Sequence, residues 1–106
     1  MRELKATTRD RREIKIMASV EVYSSKHCGF CNSAKRLLLS KQAEFTEIDV
    51  LSHPMRRKEM ISRAGGRTSV PQIFIDGSHV GGCDDLFALD ANGQLDGMLS
   101  AASSVK

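Results

Sequence analysis

The four residues Cys28-Gly29-Phe30-Cys31 constrain this chain more than any other segment. They follow an apolar, strand-like run, Val20-Glu21-Val22-Tyr23, and open a helix-like run from Asn32 to Leu39. A chain that turns from strand to helix within a C-x-x-C motif places sulfur at a helix N-terminus. Unpaired N–H groups and the positive end of the helix dipole gather there, so a thiolate is favoured. The second cysteine follows one helical turn later, within reach of a disulfide with the first. In a small α/β chain this spacing reads as a dithiol redox site.

The rest of the sequence supplies a matching scaffold. After the first strand, residues 29–40 form a helix with Ala34, Leu37 and Leu38 at helical spacing. Phe45–Val50 reads as a second strand, with Phe45, Ile48 and Val50 as core positions. His53-Pro54 opens a second helix that runs to about Ala64 and ends at Gly65-Gly66. Gln72–Ile75 is a third strand, and Asp76-Gly77 is a hairpin turn. A fourth strand begins at His79-Val80 and is broken by Gly81-Gly82. A helix from Cys83 to about Leu89 and a short helix over Leu95–Leu99 follow. The order β-α-β-α-β-β-α predicts an α/β fold: a parallel pair joined by a crossover helix, then a hairpin, in a four-stranded mixed sheet with helices on both faces.

Charge separates the N-terminus from this scaffold. Residues 1–16 hold six basic and three acidic residues and carry the whole net charge of +3. Residues 17–106 balance with ten of each sign, which argues against a basic nucleic-acid-binding domain. Residues 1–16 read as a polar, disordered leader or tail, and residues 17–106 as the folded domain. No run approaches the roughly 18 apolar residues of a membrane span. The N-terminus lacks the apolar core of a secretory signal, and three cysteines do not make a disulfide framework. Reducing cytoplasm is the expected compartment.

Cys28 has a competing reading as a zinc-binding or structural thiol. Zinc needs about four ligands. Only Cys83, His27, His53 and His79 remain, and they form no second close pair. Cys31 reads both as a redox partner and as a small buried helix residue. Lys26 and His27 either raise the positive potential near the thiols or form solvated surface. Arg56, Arg57, Lys58 and Arg63 read as a solvated face able to guide acidic protein substrates.

Four segments in order resemble the glutaredoxins: Cys28-Gly29-Phe30-Cys31, Ser69-Val70-Pro71-Gln72-Ile73-Phe74, Asp76-Gly77 and Gly81-Gly82-Cys83-Asp84-Asp85-Leu86. The resemblance covers about residues 18–100 and lies nearest the small bacterial dithiol members. It implies a thioredoxin fold, glutathione as co-substrate, and a thiol–disulfide oxidoreductase that serves cellular redox homeostasis and electron transport. It also implies roles for individual residues. Cys28 is the nucleophile and Cys31 resolves protein mixed disulfides. Val70-Pro71, with a cis bond, clamps the cysteinyl part of glutathione beside Ser69. Phe30 packs against it, Arg67 pairs with the glycyl carboxylate, Lys26 meets a glutathione carboxylate, and the Gly82-Cys83-Asp84 turn holds the γ-glutamyl end. Glutathionylated or disulfide-bonded proteins are the implied partners of a monomeric chain, with no nucleic acid and no membrane.

The sequence departs from that family's common pattern. Gly29 stands where proline is usual, Phe30 where tyrosine is, and Ser69 where threonine is. The upstream base, Lys26, is two residues before Cys28 rather than three. Gly29-Phe30 is typical of the single-cysteine branch that carries iron–sulfur clusters. The alternative function is therefore a [2Fe–2S] carrier dimer in which each chain supplies Cys28 and glutathione completes the ligand set.

Overall fold

The computed structural model describes residues 18–100; the expected leader, residues 1–16, lies outside them. The elements are β1 (Val20–Ser24), α1 (Gly29–Ser40), β2 (Thr46–Asp49), α2 (Pro54–Arg63), β3 (Gln72–Ile75), β4 (Ser78–Gly81), α3 (Cys83–Ala91) and α4 (Leu95–Leu99). The strands lie in the order β2-β1-β3-β4. β1 and β2 are parallel, with Ser24 opposite Asp49, while β3 runs antiparallel to both β1 and β4. This is the expected mixed sheet.

Alternation along the strands divides the core in two. Val20 and Val22 of β1 and Ile73 and Ile75 of β3 face one side, where Ala34 and Leu38 of α1, Leu86 of α3, and Leu95 and Leu99 of α4 cover them. Tyr23, Ile48 and Phe74 face the other side, where Met60 of α2 and Ala64 cover them. A side chain of this size contributes about 1.5–3 kcal/mol when fully buried. Phe45 packs with the first cluster and Val50 with the second. Three apolar positions expected to share one strand therefore serve different cores, and β2 is the shorter Thr46–Asp49.

The second face also carries a polar network that sequence periodicity did not reveal. Arg63, expected on a solvated face, turns onto the sheet. Its guanidinium pairs with Glu21 at 2.8 Å, donates to the Tyr23 hydroxyl at 2.7 Å and lies 4.1 Å from the Phe74 ring centroid. The Tyr23 hydroxyl donates in turn to Glu59 at 2.6 Å. Burial, together with that bond to Glu59, pushes the Tyr23 phenol above its ordinary range. The network locks α2 against β1.

Parallel pairing sends the C-terminal ends of β1 and β2 to the same edge of the sheet, so α1 and α2 both start there. Val50 N–H donates to the Ser24 carbonyl at 2.9 Å and extends this edge by one residue. The chain then enters α1 through His27, whose φ of 62° lies in the left-handed region that side chains rarely adopt.

Candidate active site

Cys28 is the N-cap of α1. Its backbone is extended, with φ −105° and ψ 106°, and its sulfur accepts the Cys31 N–H at 3.1 Å. It thus occupies the position where Ser, Thr, Asp and Asn usually cap helices. Cys31 lies one turn inside, 0% exposed, with 5.2 Å between the two Cα atoms, and the two sulfurs are bonded. Cys28 is half-buried. One sulfur of the pair is therefore open to an incoming disulfide and the other is shielded behind it. The Cys28 sulfur lies 3.9 Å from the Val70 carbonyl, which brings the thiols against the Ser69-Val70-Pro71 loop. The Val70–Pro71 peptide is cis.

A cleft of about 250 Å³ opens beside Cys28. Phe30, 67% exposed, forms one side. Ser69, Val70 and Pro71 form the second, and Arg67 with Gly82, Cys83, Asp84 and Asp85 form the third. Most of the residues singled out in the sequence thus converge. Lys26 does not line the cleft. Its charge adds to the Ser52 hydroxyl and backbone bonds that hold the Asp49 carboxyl low.

Asp85, part of the Gly81–Asp85 turn expected to form this wall but given no ligand contact of its own, also lines the cleft. It accepts the Gly82 N–H at 2.9 Å and pairs with Arg67 at 3.2 Å. The Gly82 N–H, and then Arg67, hold its carboxyl below the ordinary range. Gly81 permits this approach. With φ at 120°, an added Cβ would press on the Asp85 carboxylate, 2.7 Å from its Cγ. Asp84 has no hydrogen-bond or ion-pair partner among the described residues. The two neighbouring aspartates therefore differ: Asp85 is committed to the turn and Asp84 faces the cleft unpaired. The N–H groups of the first turn of α3 supply an anion-favouring end to the cleft.

The remaining cysteine, Cys83, is buried in the first core cluster at the cleft edge. Burial, and then the negative Asp84, push its thiol pKa up. That keeps it in the protonated, unreactive form at neutral pH.

Among the described residues no group of three or more His, Cys, Asp and Glu side chains is arranged to hold a metal ion. One chain offers the Cys28–Cys31 pair, so a [2Fe–2S] cluster would draw its remaining ligands from a second chain and from glutathione, as the carrier alternative supposes. An added Cβ at Gly29 would meet nothing within 4 Å, so no close approach demands glycine.

A family model described as Glutaredoxin matches residues 20–80. Glutaredoxin 3 of Escherichia coli strain K12 is 54% identical over 83 residues, which span 78% of this chain and 99% of that protein. The solution structure of glutaredoxin from Brucella melitensis superposes with a TM-score of 0.71 at 49% identity, covering 80% of this chain and 91% of that one. The crystal structure of the buckwheat glutaredoxin–glutathione complex superposes with a TM-score of 0.74 at 25% identity, covering 97% of this chain and 96% of the other.

Proposed function

From the premise that the chain belongs to the glutaredoxin family, and is a thiol–disulfide oxidoreductase acting through Cys28 and Cys31, we propose that glutathione is its co-substrate. The observation that carries this reading is the cleft beside the half-buried Cys28 sulfur, whose walls match the ends of a γ-glutamyl-cysteinyl-glycine peptide. Arg67 is the partner for the glycyl carboxylate. The N–H groups at the start of α3 are partners for the γ-glutamyl carboxylate, and the unpaired Asp84 for its ammonium group. Val70 presents its backbone to the cysteinyl residue as an antiparallel strand would. Ser69, Pro71 and Gly82 complete the walls, Cys83 through its backbone, and Phe30 lies along the ligand.

The chemistry follows from the exposure of the two sulfurs. The Cys28 thiolate attacks the glutathione sulfur of a mixed disulfide. The old S–S bond breaks, the substrate leaves as a thiolate and takes a proton from water, and Cys28 is left bonded to glutathione. A second glutathione thiolate attacks the sulfur of that bound glutathione, releasing oxidised glutathione and the Cys28 thiolate. With a protein disulfide, Cys28 bonds to one substrate sulfur and releases the other. The Cys31 thiolate then attacks the Cys28 sulfur, closes the intramolecular disulfide and frees the second substrate thiol. Two glutathiones reopen that disulfide. Glutathionylated or disulfide-bonded proteins acted on by a monomer in the cytoplasm complete the reading. Among the described residues no helix is long and apolar enough to cross a membrane.

The test is steady-state turnover of a glutathionylated peptide with glutathione as the reductant. Saturable turnover that Asp84→Ala weakens through KM supports the reading. Reduction that proceeds with a simple dithiol but not with glutathione overturns it.

A further inference from the structure

Besides Tyr23, whose hydroxyl the Arg63–Glu59 network satisfies, two polar residues are buried among the described residues, Ser24 and Gln72. Ser24 is accounted for by Glu47, which its hydroxyl meets at 2.6 Å beside Lys35. Gln72 is 0% exposed and sits at the start of β3, directly after Pro71, at the foot of the cleft wall. Its amide nitrogen donates to the Ser69 carbonyl at 3.0 Å and to the Ser69 hydroxyl at 3.3 Å. Its amide oxygen lies 2.7 Å from Nε2 of His79 on β4.

These contacts fix the orientation of the Gln72 amide and the tautomer of His79. A carbonyl only accepts, so the amide nitrogen of Gln72 must face Ser69 and its oxygen must face His79. Nε2 of His79 must then carry the hydrogen. A skip in the β3–β4 register, where Ile73 pairs with Gly81 and Phe74 with His79, sets this geometry. It lays the His79 ring beside Phe74, with 5.0 Å between centroids.

We infer that Gln72 and His79 are positioning residues, which hold the Ser69-Val70 wall of the cleft at the distance from Cys28 that the bound thiol compound requires. Neither lines the cleft. Ser69 and Val70 belong to the irregular segment between α2 and β3, where no ladder restrains them. The bond from Gln72 back to Ser69 closes a tight loop around Val70 and Pro71, and His79 holds the other end of the amide. Small displacements of a wall beside a reacting sulfur are expensive in rate and affinity.

The inference rests on the glutathione reading, and its test separates the two. His79→Phe keeps a ring against Phe74 and leaves the Gln72 oxygen unpaired. It should raise KM for a glutathionylated peptide about 5–10-fold with kcat little changed, the expected effect of an unmet buried acceptor. His79→Gln restores a donor at the same reach and should return KM to within about twofold of the parent. Gln72→Glu, which cannot donate to the Ser69 carbonyl, should raise KM as well. The alkylation rate of reduced Cys28 should stay unchanged in all three. Unchanged KM in His79→Phe, or no rescue by His79→Gln, overturns the positioning role even if melting temperatures fall. A parent chain that does not turn over the peptide with glutathione overturns the glutathione reading and this inference with it.

Discussion

The Cys28 sulfur accepts the backbone N–H of Cys31 at 3.1 Å across the first turn of α1. A side chain that caps a helix is stabilised when it carries negative charge, because both the N–H and the helix dipole favour it. Cys83 sits in the opposite environment, buried and beside a carboxylate. Reduced protein treated with limiting iodoacetamide at pH 7 should therefore be modified at Cys28 well before Cys83. Peptide mapping by mass spectrometry checks the order, and equal modification of the two would remove the capping argument.

Asp85 ties three parts of the cleft together: the Gly82 amide, Arg67 and the start of α3. Asp85→Asn loses the charge in both contacts. The expected cost is about 1 kcal/mol, or roughly 4–8 °C in Tm for a domain near this size. The folded carboxyl titrates lower than the unfolded one. Its stabilisation is therefore complete at neutral pH and is lost in acid, as pH falls through the lowered folded value. The Tm gap between parent and variant should hold from pH 7 to 5 and close in stronger acid. A gap that persists unchanged at low pH would assign the effect to shape rather than charge.

Gly29 occupies the first position of α1, where proline is well tolerated because that N–H has no helical partner. The preceding residue must then avoid the helical region, and Cys28 does, at φ −105° and ψ 106°. Space beside Gly29 is open. Gly29→Pro should accordingly stabilise the chain by about 0.4–1 kcal/mol, chiefly by restricting the unfolded state, and retain thiol–disulfide exchange. Thermal denaturation reads the first part and disulfide turnover the second. A loss of stability would show that Cys28 cannot hold its capping conformation ahead of proline.

The strand-to-helix passage around Cys28, the hairpin at Asp76-Gly77 and the Gly81-Gly82 break were all legible in sequence, because each depends on local residue chemistry. The features that were not legible depend on register and helix phase. Asp84 and Asp85 are adjacent and chemically alike, and only their positions in the first turn of α3 decide which one meets Gly82 and Arg67. Arg63 reads as surface until the sheet brings Glu21 and Tyr23 to it. His27, in a left-handed conformation no motif announces, alters the approach to Cys28, and Lys26 is absent from the cleft lining. The Gln72–His79 contact needs the skipped residue in β4, which hydropathy alternation does not disclose.

The Escherichia coli relative aligns along 99% of its length with only 78% of this chain. A chain of residues 17–106 should thus retain the melting temperature and glutathione-linked activity of the full chain. Ala18, which donates to the Leu99 carbonyl at 2.7 Å, already anchors the start of the described fold. A fall of several degrees would give residues 1–16 a packing role. Equal stability with altered activity toward a protein disulfide would give them a part in substrate recognition.

Cys28 is the attacking sulfur of the proposed cycle and Cys31 the resolving one. The most direct test of that assignment is a single turnover of reduced Cys31→Ser with a glutathionylated peptide, followed by intact and peptide-mapped mass spectrometry. The predicted result is one glutathione bound at Cys28, stoichiometric release of the free peptide thiol, and loss of the adduct when glutathione is added. Cys28→Ser should form no adduct at all. An adduct on Cys83, an adduct carrying the peptide in place of glutathione, or turnover by Cys28→Ser would contradict it.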